Sequence, residues 1–176
     1  HIHIDEINSR KESIVTLSGH VYQPGQFKWQ PGMRLSDVLG SIDRFPPNLD
    51  LDYALISRET KPVGDVVAIK VDLRGLLFGN KAEADIELFE RDTVHIFSLD
   101  SERSTELKSV ISKIKSQARS GELEKVVSIT GTVRLPGEFP LTEQMRISDL
   151  ILAAGDFSTL HTTYDYGVLV RTTMPR

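Results

Sequence analysis

Ile14–Phe45 reads IVTLSGHVYQPGQFKWQPGMRLSDVLGSIDRF, and Val126–Phe157 reads VVSITGTVRLPGEFPLTEQMRISDLILAAGDF. Laid over one another without a gap, Gly19 meets Gly131, Val21 meets Val133, and Pro24-Gly25 meets Pro136-Gly137. Phe27 falls on Phe139, Met33-Arg34 on Met145-Arg146, Ser36-Asp37 on Ser148-Asp149, and Phe45 on Phe157. After a one-residue insertion, Asp52-Tyr53 meets Asp165-Tyr166 and Arg58 meets Arg171. Self-similarity at a fixed offset means one structural unit used twice.

Each unit opens with a strand, because Ile14–Val21 alternates apolar and polar residues as a half-buried strand does. Pro24-Gly25 and Pro136-Gly137 predict a turn, with Pro presetting φ and Gly supplying a positive φ. Phe27 and Trp29, matched by Phe139 and Leu141, then share one face of a second strand. A short helix follows, with Ser36 or Ser148 as N-cap and Asp37 or Asp149 in the first turn, where the helix dipole favours negative charge. Leu35, Val38, Leu39 and Ile42, matched by Ile147, Leu150, Ile151 and Ala154, form its apolar stripe. Gly155 is the natural stop of the second helix, and Asp43 stands in that place in the first.

Further strands are expected at Tyr53–Ser57 and Tyr166–Val170. The first unit continues through Val66–Asp72, a turn or helix at Leu73–Phe78, and a last strand at Thr93–Phe97. The second reaches Arg176 without counterparts of these, and its roughly 50 residues are marginal for folding alone. Between the units Ser104–Gly121 predicts an amphipathic helix, with Leu107, Val110, Ile111, Ile114 and Ala118 on one side. It reads as a connector packed on one unit, or as a helix that meets a partner. The expected organisation is an end strand in 1–13, a first unit at 14–100, a linker helix at 101–125, and a C-terminally incomplete second unit at 126–176. His1-Ile2-His3-Ile4-Asp5 alternates as Thr93–Phe97 does, so it reads as the closing strand of a preceding unit or as a strand that completes the second unit. A start at His1 and an end at Met174-Pro175-Arg176 are expected of a piece of a longer chain.

Composition narrows the function. The chain has 176 residues, 39% hydrophobic and 26% charged, with net charge −4 and no cysteine. That apolar share supports a packed core. Without cysteine there are no disulfides, thiolate zinc sites, iron–sulfur clusters or thiol nucleophiles. The acidic balance argues against binding nucleic acid through counterion release. No apolar run approaches the roughly 20 residues of a membrane-spanning helix.

The order G-x-V-x-x-P-G-x-F, then Met-Arg-(Leu/Ile)-Ser-Asp, then a helix ending near Ala153-Ala154-Gly155, resembles the SLBB family, the soluble ligand-binding β-grasp domains. Leu88–Ile96 looks like that family's closing L-x-x-G-D-x-V-x-V segment, with Arg91 where Gly is usual. Structural motif positions carried over are Gly19, Pro24, Gly25, Gly131, Pro136, Gly137 and Gly155. Two such units with a linker resemble polysaccharide export proteins of Gram-negative bacteria. The resemblance implies an α+β fold of two β-grasp units, each a small sheet wrapped on one helix. It also implies a periplasmic, outer-membrane-associated setting, ring-shaped homo-oligomers, passage of a polysaccharide, and an inner-membrane polysaccharide co-polymerase as a further partner. A soluble glycan-binding module that builds no channel is the alternative. The segment diagnostic of the export family is not found before the first unit.

No catalytic constellation, cofactor motif or metal site is expected. Of five histidines only His1-x-His3 has ligand-like spacing, and it stands alone. Asp50 and Asp52 are neighbours in a loop rather than carboxyls facing across a cleft. For a glycan, Tyr22 and Tyr164 are the aromatic candidates, since Tyr22 matches Arg134, an outward position, and Tyr164 lies in a loop. Trp29 matches Leu141 and reads as core. Arg58 and Arg171, matched at strand ends, are either solvated or contacts to an acidic glycan or a neighbouring subunit.

Overall fold

The computed structural model describes residues 13–60, 64–79, 82–119, 122–158 and 167–171. The first unit contains β1 (Ile14–Gly19), β2 (Gly25–Lys28), α1 (Leu35–Leu39), β3 (Leu49–Glu59), β4 (Val66–Val71), α2 (Leu73–Phe78) and β5 (Thr93–Ser98). Its sheet runs β2-β1-β5-β3-β4. β1 and β5 are parallel, and every other pair is antiparallel. Strand alternation sends Val15, Leu17, Ala54, Ile56, Val94 and Ile96 to one face, where Leu35, Val38 and Leu39 of α1 cover them. This is the α+β, β-grasp arrangement that the resemblance implies.

Three local readings are corrected. The N-caps are Arg34 and Arg146, not Ser36 and Ser148. Each cap's backbone N–H donates to the carboxylate three residues on, Asp37 Oδ2 at 2.8 Å and Asp149 Oδ2 at 2.9 Å. Ser36 is drawn away by Asp85, whose carboxylate accepts from its N–H and its hydroxyl, both at 2.9 Å. Next, α1 closes at Gly40, φ 67°, so it is shorter than its sequence stripe. Ile42 and Asp43 lie instead in a 3-10 turn, Ile42–Arg44, and Ile42 is exposed. Finally, Gly25 opens β2 opposite Leu17 and supplies no positive φ. The chain turns at Gly19 (φ 92°) and Gly131 (φ 100°), where Val21 and Val133 N–H donate back to the glycine carbonyls at 2.9 Å. A Cβ on Gly19 would stand 2.0 Å from the Ile96 carbonyl oxygen, so the β1–β5 approach itself demands glycine.

Trp29 follows β2, packs half-buried on the core, and donates from Nε1 to the Leu88 carbonyl at 2.7 Å. Its counterpart Leu141 is largely exposed, so the two positions do not share an environment. Arg91 takes φ 68°, the left-handed conformation that suits the glycine usual there.

The linker holds α3 (Arg103–Glu106) and α4 (Lys108–Gln117). Leu107, Val110, Ile111 and Ile114 are buried, as their spacing predicts. The helix stops at Gln117, short of Gly121, which lies outside the described residues. Gln117 turns to the outer edge of the sheet, accepting from Val66 N–H and donating to Val66 C=O, both at 2.7 Å.

The second unit comprises β6 (Val126–Ile129), β7 (Gly137–Pro140) and α5 (Ile147–Ala153), with β6 and β7 antiparallel. It sits on the sheet face opposite α1. There Val133, Phe139, Ala153 and Ala154 join Tyr53, Leu55, Phe97, Leu107 and Ile111 in a second core. The strand expected at Tyr166–Val170 is not formed at 167–170, where Val168, Leu169 and Val170 are exposed. In the first unit β3 is held between β4 and β5, and no described strand takes either place in the second. For the same reason Ile147 is 59% exposed where Leu35 is fully buried. The end strand expected in 1–13 falls outside the described residues except for Ser13.

Candidate functional site

The most organised polar site joins the two units. β3 carries a register break between Leu49 and Ala54. Asp50 fills the break: its Oδ1 accepts from Asp52 N–H at 2.8 Å and Tyr53 N–H at 3.1 Å. Its Oδ2 accepts from Arg103 NH2 at the start of α3. Arg103 NH1 donates to the carbonyls of Leu152 (2.9 Å) and Ala153 (2.5 Å). Those carbonyls close α5, the end of a helix that favours a cation. One fully buried guanidinium therefore binds the first unit, the linker and the second unit together.

Aromatic rings wall this clasp. The Arg103 guanidinium lies 5.1 Å from the Tyr53 ring centre and 5.9 Å from that of Phe97. Tyr53 stacks on Phe97 at 5.3 Å and meets Phe139 edge-on at 6.1 Å. Burial lowers the Arg103 pKa, with Asp50 opposing the shift, and burial raises that of the Tyr53 phenol. The phenol stays neutral and the guanidinium stays charged at physiological pH. Outer ties reinforce the junction: Lys70 Nζ to Asp149 Oδ1 at 2.7 Å, and Lys115 Nζ to Glu138 Oε1 at 2.6 Å.

The positions singled out from sequence are dispersed. Tyr22 is 62% exposed, beside a depression of about 240 Å³ lined by Gln23, Asp43, Arg44 and Phe45 among others. Arg58 faces inward: Nε and NH2 donate to the buried Asp92 carboxylate at 2.7–3.2 Å, and NH2 also to the Glu87 carbonyl at 2.8 Å. Its guanidinium lies 4.2 Å from the Phe89 ring centre. Arg171 is exposed on a segment without strand structure, and Tyr164 lies outside the described residues. Tyr22 and Arg58 therefore do not converge on one pocket. His1 and His3 also fall outside the described residues, and among those described no three metal-ligating side chains cluster.

Arg103 and Asp50 were invisible to the repeat comparison because Arg103 belongs to the linker and Asp50 to a bulge. Their only sequence signal is an arginine opening an otherwise apolar-striped helix.

Fold and clasp together define a class of architecture, a β-grasp unit with a second, related unit docked on its back. The family model for the SLBB domain, a binding-domain family, matches this chain at residues 14–41 and 126–162. Both matches begin at the first strand of a unit, so SLBB-type sequence occurs twice here. Comparison with curated proteins finds no match for this chain. Among the described residues no helix is long and apolar enough to cross a membrane.

Proposed function

We propose that this chain is a non-catalytic periplasmic module of a polysaccharide export protein, which assembles with copies of itself to form or support a translocation conduit. The observation that carries the reading is the tandem of SLBB-type segments locked to one another through Arg103. A wall around a conduit needs units that keep a fixed mutual angle, and a buried charged clasp with several directed hydrogen bonds supplies one. Transport of a polymer asks for no bond chemistry from the wall. An outer-membrane setting and an inner-membrane co-polymerase partner complete this proposal. The test is the mass of the protein extracted from membranes in detergent, by light scattering, with particle images of the same peak. Closed rings with a central opening are expected; a monomer or open dimer overturns the reading.

A second reading, a glycan-binding module without a channel, draws on Tyr22 beside the Arg44-lined depression. An exposed ring next to hydrogen-bond donors suits a sugar face and its hydroxyls. Titration with acidic and neutral oligosaccharides, comparing the parent with Tyr22→Ala, tests it. Saturable binding lost in Tyr22→Ala favours this reading, and absence of binding removes it.

A further inference from the structure

Strand alternation puts Ser57 and Glu59 of β3 and Thr93 and His95 of β5 on the sheet face opposite α1, with Ser57 directly across from Thr93. The linker helix α4 packs on this face, and its Ser109 and Lys113, four residues apart, share one side of the helix. With Arg91, just before β5, these side chains line a cavity of about 160 Å³. The β3 and β5 residues in it are half-buried, whereas Arg91, Ser109 and Lys113 are exposed at its rim. Arg91 holds φ 68°, where a Cβ is disfavoured, so its guanidinium stands at this rim against the preference of its own backbone. Among the described residues Arg91 forms an ion pair with Glu59 Oε2 alone, through NH1 at 3.0 Å, and Lys113 forms none.

The hydrogen bonds give this cavity a defined polarity. Ser18 Oγ donates its one proton to the Val94 carbonyl at 3.2 Å, so His95 Nδ1, 3.2 Å from the same oxygen, is the donor of that pair. Burial keeps the ring neutral, lowering its pKa to about 4, which leaves Nε2 to accept the Ser57 hydroxyl proton at 2.9 Å. The Ser57 lone pairs are then left for a donor inside the cavity. The Thr93 and Ser109 hydroxyls make no hydrogen bond among the described residues and are available as donors. Two cations, one carboxylate, two available hydroxyl donors and one fixed hydroxyl acceptor thus converge. We propose that this cavity binds a hydroxylated oxyanion, a small polyol bearing a carboxylate or phosphate group. The anionic group lies between Arg91 and Lys113, a planar fork and a point charge that both suit it, and Thr93 and Ser109 donate to it. A hydroxyl of the ligand donates to Ser57 Oγ. The volume is below the roughly 300–1,000 Å³ of a drug-sized pocket, which limits the occupant to one small group. The cavity shares no lining residue with the depression beside Tyr22, and the inference depends on neither reading of function above.

Titration of the whole chain with glycerate and with glycerol phosphate at neutral pH, followed by the NMR signals of the His95 ring, tests the site. Loss of those signals in His95→Gln identifies them. Saturable movement of the ring signals is expected with at least one of the two anions, and the tighter of them names the anionic group. Glycerol, which lacks the anion, and acetate, which lacks the hydroxyls, are each expected to bind at least about tenfold more weakly. Lys113→Gln and Arg91→Gly are each expected to weaken binding about tenfold. Both variants keep the fold, since Lys113 is an exposed helix residue and glycine suits φ 68°, and their melting temperatures check this. No saturable movement with either anion, glycerol or acetate binding as tightly as the better anion, or unchanged affinity in either variant overturns the proposal.

Discussion

Arg103 and Asp50, 53 residues apart in sequence, form an ion pair with both side chains buried between two halves of the molecule. Neither charge has water to fall back on, so each depends on the other and on the carbonyls of α5 and the amides of the β3 bulge. Removing one member leaves the other charged and buried, which costs more than the intact pair contributes.

Arg103→Ala is expected to destabilise the chain by about 3–5 kcal/mol in denaturant titration. Arg103→Met with Asp50→Asn is expected to recover part of that loss, because no charge is stranded and the Asn oxygen still accepts from the bulge amides. A double variant as damaged as the sum of the two single variants would show that the residues act independently.

Gly19→Ala and Gly25→Ala separate the two glycine readings. Gly19 has a positive φ, and a Cβ there runs into backbone, so β1 and β5 must part; the loss is expected to exceed about 3 kcal/mol. Gly25 has open space around it and no positive φ, so its alanine variant is expected within about 0.5 kcal/mol of the parent. Thermal melting of the two variants is the measurement, and equal losses would contradict the turn assignment.

Arg91 holds a left-handed conformation for which its Cβ is poorly suited, while its guanidinium reaches Glu59 Oε2 at 3.0 Å. A non-glycine residue there costs roughly 1–2 kcal/mol, and an exposed pair contributes at most about 1 kcal/mol. Arg91→Gly is therefore expected to match or exceed the parent in melting temperature. Arg91→Val, which suits that conformation still less, is expected to melt lower than either.

His95 provides a pH signature. Burial between β1 and β3 lowers its pKa from 6.5 to about 4, and both ring nitrogens face hydroxyls, Ser18 at 3.2 Å and Ser57 at 2.9 Å. The folded state binds fewer protons than the unfolded chain between these values, so stability is full above about pH 6.5 and falls toward pH 4. The loss is at most about 3 kcal/mol at the acid end. Glu59, Arg91 and Lys113 line the adjoining cavity. His95→Gln is expected to flatten the stability profile between pH 6.5 and 4, and an unchanged slope would assign the acid loss elsewhere.

Sequence alone determined the repeat, and the motifs within it carried the resemblance that implies the β-grasp fold. Alternation along β1, the apolar stripe of α1 and the stripe Leu107–Ile114 are local patterns, and local periodicity dictates which face is buried whatever lies opposite. What lies opposite was decided by tertiary structure. Ile147 has the same sequence setting as Leu35, yet one is exposed and the other buried, because among the described strands only the first unit has β3 and β5 across its helix. Gly19 outranks Gly25 for the same kind of reason: its need arises from the carbonyl of Ile96, a residue on another strand. Arg58 reads as a strand-end charge until folding delivers Asp92 and Phe89 to it. Arg103 is the extreme case, since a buried guanidinium is tolerable only where an acid, helix-end carbonyls and aromatic faces converge from three separate stretches of chain.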